Sequence, residues 1–430
     1  MYLTTRSVWA TALGCIAVLL APRPLTVVGW CVLVGLLVLI DVLCAASPRS
    51  LRVERAVARS VRLGESTTTT LTLANTGHVR AHLEVRDAWP PSAGASHERA
   101  RMEVPAGERR RHRTVLTPTR RGDRRADLVT VRSRGPLGLA GRQASLHCPA
   151  RVRVLPAFSS RRHLPSRLAR LREMDGRSAV MVRGAGTEFD SLREYVVGDD
   201  VRSIDWRSTA RRGEVVVRTW RPERDRRVLL VVDTGRLSAA RLGDEPRLDA
   251  QIEACLLLSA LASKAGDRVD VLTMSERTGV QVRGQSGPAL MSTLADALAP
   301  VTPELSETDW TAMAQAVGSI LSQHALVVVL TALDGAGTDA GMLRALGTLA
   351  REHTVLLASA SDPELEQLRR QREDGETVYV AAAAERDLAD LQVSRERLRR
   401  AGIEVVEAQA EGLAPALADS YLALKAAGRL

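Results

Sequence analysis

Residues Val228–Ser238 read VLLVVDTGRLS. A continuous apolar run that ends on an acid and enters a glycine-bearing loop is the pattern of a strand buried on both faces. Further runs of this kind follow at Asp267–Thr273, Leu326–Thr331, Thr354–Ser359, Thr377–Ala381 and Ile403–Glu407. A short strand is expected beside the second, at Val280–Arg283. Helical segments lie between them: Pro246–Ala265, Gly287–Leu298, Thr308–Gln323, Ala340–Glu352, Pro363–Glu373, Ala384–Ala401 and Leu413–Ala427. Apolar strands alternating with helices predict an α/β domain over 226–430, a doubly wound parallel sheet covered on both faces. Ligands of such sheets bind beyond the carboxyl ends of the strands, which directs attention to Asp233 and the loop Thr234–Ser238.

The chain has 430 residues, enough for two or three domains. Aromatic residues make up only 3%, so the cores rely on Leu, Val and Ala. The net charge of +10 is carried by arginine, since Lys264 and Lys425 are the only lysines. Such a charge suits nucleic acid, an anionic membrane face or an acidic protein. No nucleic-acid-binding motif accompanies it, and no nucleic acid is expected as partner. The five cysteines, Cys15, Cys31, Cys44, Cys148 and Cys255, show no metal-ligand spacing and fit a reducing compartment.

Two apolar runs open the chain, Val8–Ala21 and Leu25–Ala46, separated by Pro22-Arg23-Pro24. A span needs about 20 apolar residues. The second run meets this, and the first does so if it begins near Leu3. A cleaved signal peptide is the rival for the first run; the immediate second run favours a transmembrane helical hairpin over 1–48. Arg49, Arg52, Arg55, Arg59 and Arg62 follow it, so both termini are expected in the cytoplasm. Asp41, late in the second run, reads as an interfacial residue.

Over 49–157 short alternating runs appear: Ser66–Leu73, Ala81–Val85, Arg113–Thr117, Ala126–Ser133 and Ala150–Leu155. Turn signals separate them, among them Asn75-Thr76-Gly77, Ala106-Gly107 and Arg121-Gly122-Asp123. This spacing predicts a small β-sandwich. Glu108–Arg113 reads as a solvated edge, and His78 and His82 as neighbours on one strand face.

Between the two regions, in 158–225, lies the stretch Gly184–Trp220, GAGTEFDSLREYVVGDDVRSIDWRSTARRGEVVVRTW. It sets scarce aromatics among paired Arg and Asp. Leu192-Arg193-Glu194-Tyr195, Gly198-Asp199-Asp200-Val201-Arg202, Ile204-Asp205-Trp206 and Ala210-Arg211 closely resemble the signature of the domain-of-unknown-function 58 family. Arg121-Gly122 and Gly135-Pro136-Leu137-Gly138-Leu139 resemble that family's second conserved stretch. The resemblance implies paired N-terminal helices, a β-rich section and a von Willebrand factor A-like α/β domain. It also implies a partner, an AAA+ ATPase of the MoxR type, and a role in complex assembly or maturation rather than catalysis.

Von Willebrand A domains often bind a metal through Asp-x-Ser-x-Ser, a Thr and a late Asp. Asp233 fits the first position, but Gly235 and Leu237 stand where the serines belong. Thr308 is a loose match for the threonine, and Ala332 takes the late position, with Asp334 two residues on. The site reads as degenerate, and no metal or other cofactor is expected. No phosphate loop or serine-hydrolase elbow is present, and Gly184-Ala185-Gly186 is too short to be a nucleotide motif. Three readings of the signature segment are open. Glu194, Asp199, Asp200 and Asp205 form a catalytic cluster of a membrane-associated, metal-assisted hydrolase. Or Arg193, Glu194, Tyr195, Gly198, Asp199, Asp200, Arg202, Asp205, Trp206 and Arg211 form a recognition surface. Or the same residues form a buried clasp, in which Asp199, Asp200 and Asp205 cap turns or pair with Arg202 and Arg211 above a packed Tyr195 and Trp206.

Overall fold

The computed structural model describes the backbone of all residues except 182–187, 198, 222–225, 286 and 334–339. Side chains at 175–181, 188–190, 219–221 and 285 also lie outside the description. The chain forms two units, Met1–Ala157 and Phe158–Leu430.

In the first unit, strand β1 (Tyr2–Leu3) leads into helix α1 (Thr5–Leu20), and helix α2 (Pro24–Cys44) returns beside it. Pro24 fills the first helical position, where its missing N–H costs nothing. The helices meet closely at Gly14, where a Cβ would overlap the Trp30 indole. The indole N–H donates to the Ala10 carbonyl at 3.1 Å. With 21 residues, in a span that contains an 18-residue stretch of mean hydropathy 2.7, α2 is long and apolar enough to cross a membrane. α1 has 16 residues, short of the length expected for a span.

The sequence placed Asp41 at a water interface; the structure corrects this. Asp41 is fully buried, and its carboxylate accepts from the backbone N–H groups of Leu137 (2.7 Å) and Ala140 (2.8 Å). A carboxylate that satisfies two otherwise orphaned donors stabilises the turn they belong to. Gly135 is required there, because a Cβ would collide with Asp41 itself. Thus the Gly135–Leu139 stretch is a turn gripped by the end of α2.

Strands β2 (Leu51–Ala56), β3 (Ser60–Arg62), β4 (Thr67–Asn75), β5 (Ala81–Asp87), β6 (Ala95–Ser96), β7 (Arg99–Val104), β8 (Arg109–Leu116), β9 (Gly122–Arg134) and β10 (Ala140–Leu155) complete this unit. One sheet has the order β1-β10-β9-β5-β7, with β3 also on β10; the other runs β2-β4-β8-β6. Leu71 and Leu73 of one sheet pack on Leu83, Val85, Val129 and Val131 of the other. Inward positions alternate with outward ones, as in β5, which is the pattern of a sandwich. Several local expectations change. Arg109–Arg113 is the exposed start of β8, paired there with β4 alone, as a solvated edge would be, whereas Asp123 lies in β9 rather than in a turn, paired with Arg153 of β10 at 3.0 Å, with Gly122 (φ +107°) opening the strand. His78 precedes β5, so it does not share a strand with His82, which pairs with Glu103 at 3.0 Å. Arg55 is no membrane-flanking charge: it is fully buried against Asp87.

The second unit begins with helix α3 (Leu164–Met181), then strand β11 (Glu188–Glu194), helix α4 (Trp206–Arg212) and strand β12 (Val216–Arg221). Next come β13 (Arg227–Asp233), the small pair β14 (Arg241–Leu242) and β15 (Glu245–Pro246), α5 (Arg247–Lys264), β16 (Arg268–Met274), β17 (Thr278–Gln285), α6 (Ala289–Leu298) and α7 (Trp310–Ile320). β18 (Leu326–Leu330), α8 (Ala340–Leu349), β19 (Thr354–Ser361), α9 (Pro363–Leu368), α10 (Gly375–Arg400), β20 (Glu404–Gln409) and α11 (Ala410–Ala426) complete it. The main sheet has the order β17-β16-β13-β18-β19-β20, parallel except for β17. Val228, Leu230 and Val232 face α5, α6 and α11, while Leu229 and Val231 face α7, α8 and α10. The unit is therefore a mixed α/β structure with helices on both faces of a largely parallel sheet.

The strand expected at Thr377–Ala381 is instead the first turns of α10. Asp374 accepts from the Thr377 N–H, and the Thr377 hydroxyl accepts from the Asp374 N–H, a reciprocal cap that starts a helix. Four alanines follow at 381–384 and favour its continuation.

Candidate functional site

Asp233 ends the central strand where the order reverses: β16 lies on one side of β13 and β18 on the other. Its side chain is buried, 3% exposed. Oδ1 accepts from the Gly235 N–H at 2.8 Å and the Thr308 hydroxyl at 2.5 Å; Oδ2 accepts from the Thr331 hydroxyl at 2.6 Å. The Ser238 hydroxyl donates to the Asp233 carbonyl at 2.7 Å. Thr308 and Thr331 thus come from different loops to one carboxylate, and a Cβ on Gly235 would collide with the Thr308 hydroxyl.

Both oxygens of the Asp233 carboxylate are thus engaged by hydrogen-bond donors. Ala332 is buried and offers no ligand atom in its side chain, and Asp334 lies outside the described residues. Among the described residues no cluster of three or more His, Cys, Asp or Glu suits a metal ion. Millimolar Mg²⁺ is expected to leave Tm unchanged in calorimetry, because Gly235, Leu237 and Ala332 supply no side-chain ligand beside Asp233. A Tm that climbs with Mg²⁺ concentration, as it does for any ligand of the folded state, would contradict this.

The signature segment forms a separate piece. β11 and β12 make a two-stranded antiparallel sheet, hydrogen-bonded to no other sheet among the described residues. Arg193 grips Asp199 with both Nη atoms, at 2.7 and 2.6 Å. This planar fork-to-carboxylate bond raises the Arg193 pKa. Asp199 also accepts from the Val196 N–H at 2.9 Å, closing the turn after β11. Asp200 caps the short turn Val201–Ser203 through the Arg202 N–H at 3.0 Å. Asp205 caps α4 through the Ser208 N–H at 2.9 Å and pairs with Arg218 at 2.8 Å. The Ser208 N–H, then Arg218, hold its carboxyl below the usual carboxylate range.

The structure thus commits Asp199 and Asp205 to Arg193 and Arg218, not to Arg202 and Arg211. Glu194 is exposed; its carbonyl, not its carboxylate, accepts from Arg193 at 3.0 Å. Gly198 lies outside the described residues. Tyr195 is half-buried and bonds through its N–H to the Val215 carbonyl at 2.8 Å. Trp206 is 65% exposed, so it does not pack beneath the ion pairs. Val196, Val197 and Val201 are exposed as well, as are Arg202, Arg207, Arg211 and Arg212. Sequence reasoning missed the three valines and Arg218; only the run of apolar residues between charges hinted at them.

A family model described as "Protein of unknown function DUF58" matches residues 191–410, just over half of the chain. The chain belongs to the DUF58 family. The match takes in the signature motifs from Leu192 onward and the Asp233 node together. Uncharacterized proteins of Mycobacterium tuberculosis and Mycobacterium bovis are 27% identical over 186 residues, 43% of this chain and 57% of each relative. The chain therefore spans a little over half the length of these curated relatives. Among solved structures, BatB from Bacteroides thetaiotaomicron is 14% identical, with a TM-score of 0.31, covering 47% of this chain and 99% of that one. An aerotolerance-related membrane protein from Bacteroides fragilis is 11% identical, with a TM-score of 0.27, covering 45% and 99%. Neither score defines the fold of this DUF58 protein, whose sheet order stands on its own geometry.

Proposed function

We propose that this DUF58 protein is a membrane-anchored protein-interaction or assembly factor. α1 and α2 form the anchor, both termini lie in the cytoplasm, and the signature segment docks an AAA+ ATPase of the MoxR type. One observation carries the docking assignment: Trp206 is 65% exposed in a segment where Val196, Val197, Val201, Arg202, Arg207, Arg211 and Arg212 are exposed as well, and among the described residues none of these arginines makes a side-chain hydrogen bond or ion pair. Trp and Arg are among the residues that most often anchor protein interfaces, and exposed guanidiniums select an acidic partner face. The Arg193–Asp199 and Asp205–Arg218 ion pairs hold the backbone of this segment in place, so little ordering is needed on binding.

The sheet order, with one antiparallel edge strand and an acid ending the first strand, supports a von Willebrand A-like reading of the α/β unit. The Asp233 node then serves as a metal-free tie between loops. The hydrolase reading keeps only Glu194 uncommitted among its four acids, since Asp199, Asp200 and Asp205 are engaged in caps and ion pairs. We assign no catalytic role to them.

The test is co-purification of the tagged full chain with a co-expressed MoxR-type ATPase in mild detergent with ATP. Wild type is expected to retain the ATPase, and Trp206→Ala to lose at least about tenfold in binding, a typical hot-spot effect, with Tm unchanged. Wild type that retains no ATPase contradicts the proposal.

A further inference from the structure

A cavity of about 370 Å³ lies where the helical hairpin meets the sandwich. Arg6, Arg101 and Arg134 line it, together with His82, Glu84 and Glu103 and the Gly135–Gly138 turn gripped by Asp41. Arg6 and Arg134 lie side by side over Gly138: a Cβ there would sit 3.0 Å from an Arg6 Nη and 3.5 Å from the Arg134 Cδ. Among the described residues, none of the three guanidiniums makes a side-chain hydrogen bond or ion pair. Glu103 is engaged by His82 at 3.0 Å and Arg80 at 3.7 Å. Glu84 stands opposite Arg101 and Arg132 in the sheet register. The cavity therefore holds three uncommitted guanidiniums against one uncommitted carboxylate. Guanidiniums that line one cavity without a partner suit phosphate, which a guanidinium can grip bidentately.

The position of the cavity says which phosphate. Arg6 is the second residue of α1, and the exposed apolar surface of that helix starts two residues on, at Val8 and Trp9, 65% and 70% exposed. A phosphate held at Arg6 would lie at headgroup depth, with Trp9 at the level that interfacial tryptophans prefer. Acyl chains attached to it would run along the apolar face of α1.

We propose that this cavity binds the phosphodiester headgroup of a membrane phospholipid, with Arg6 and Arg134 gripping the phosphate and Arg101 completing the site. The inference rests on the membrane anchoring proposed above. The headgroup fixes the hairpin's depth and couples the Gly135–Leu139 turn to the bilayer surface.

The experiment uses the full chain in neutral detergent and measures binding of dioctanoyl phosphatidylglycerol, dioctanoylglycerol and glycerol phosphate by thermophoresis. The phospholipid is expected to bind saturably and the phosphate-free lipid not at all; glycerol phosphate is expected to bind at least about tenfold more weakly than the phospholipid. Arg6→Gln/Arg134→Gln should weaken phospholipid binding by at least about tenfold. Arg101→Gln, on an exposed strand position, gives a second, folding-neutral variant with a smaller loss in the same direction. Equal binding by wild type and the double variant overturns the site. Glycerol phosphate binding as tightly as the phospholipid overturns the lipid assignment. Retention of wild type in carbonate-washed membranes is read separately: its loss defeats the anchoring, whereas retention without saturable lipid binding defeats this inference alone.

Discussion

Replacing Asp87 with alanine is expected to cost the N-terminal unit about 3–5 kcal/mol of stability, the usual result of stranding a buried charge. The side chains of Arg55 and Asp87 are both fully buried. Arg55 donates to Asp87 Oδ1 through Nε (3.0 Å) and Nη2 (2.8 Å), and the Trp89 indole N–H donates to Oδ2 at 3.1 Å. The remaining guanidinium donors reach the carbonyls of Ala126, Cys148 and Leu128. The Trp89 ring lies 5.4 Å from the guanidinium carbon. Every polar atom here depends on the carboxylate for charge balance. Urea unfolding followed by tryptophan fluorescence measures the loss. The Arg55→Met/Asp87→Leu double variant should lose less than Asp87→Ala alone, because no charge is left behind. A loss under about 1 kcal/mol for Asp87→Ala, the level of a surface pair, would show that water reaches the site.

The second large effect is expected at Asp267. This carboxylate is 2% exposed and holds Lys425 Nζ at 3.0 and 3.2 Å; the buried Tyr421 hydroxyl also donates to it. Lys425 is one of only two lysines in the chain, and its side chain is 8% exposed. The group ties α11 to the turn that opens β16, where the Asp267 N–H returns to the Ala262 carbonyl at 2.9 Å. Asp267→Ala leaves an ammonium and a phenol without their acceptor, again a loss of about 3–5 kcal/mol. The Asp267→Leu/Lys425→Met double variant leaves neither charge behind and is expected to cost clearly less. Calorimetry of the two variants checks the order; the double variant proving the more damaging would contradict it.

Such pairs were hidden in the sequence because their partners are far apart. Arg55 and Asp87 are separated by 32 residues and Asp267 and Lys425 by 158, and nothing local marks either. Strands β13, β16, β18 and β19 were legible because both their faces are apolar. The first half of β10 was not, since Arg142, Gln143, Ser145 and His147 interrupt it and a register shift follows His147. Thr377–Ala381 misled because Val378, Tyr379 and Val380 favour strands. Their exposure (44, 81 and 38%) places them on the solvent side of a capped helix. At the candidate site, Asp233 was legible as the end of a central strand. Its second hydroxyl partner, Thr331, lies 98 residues away and comes from the sheet topology alone. The exposure of Trp206 could not be read, because an aromatic among charges fits a packed clasp as well as a bare surface.

Whether that surface is where the partner sits is tested most directly by crosslinking. A photoreactive amino acid placed at position 206 of the full chain, in cells that co-express a MoxR-type ATPase, reports what touches this face. The account predicts an adduct between the two proteins, formed with ATP and lost when the reactive residue is moved to Leu128 on the sandwich. Crosslinks from position 206 that stay within the chain would contradict it.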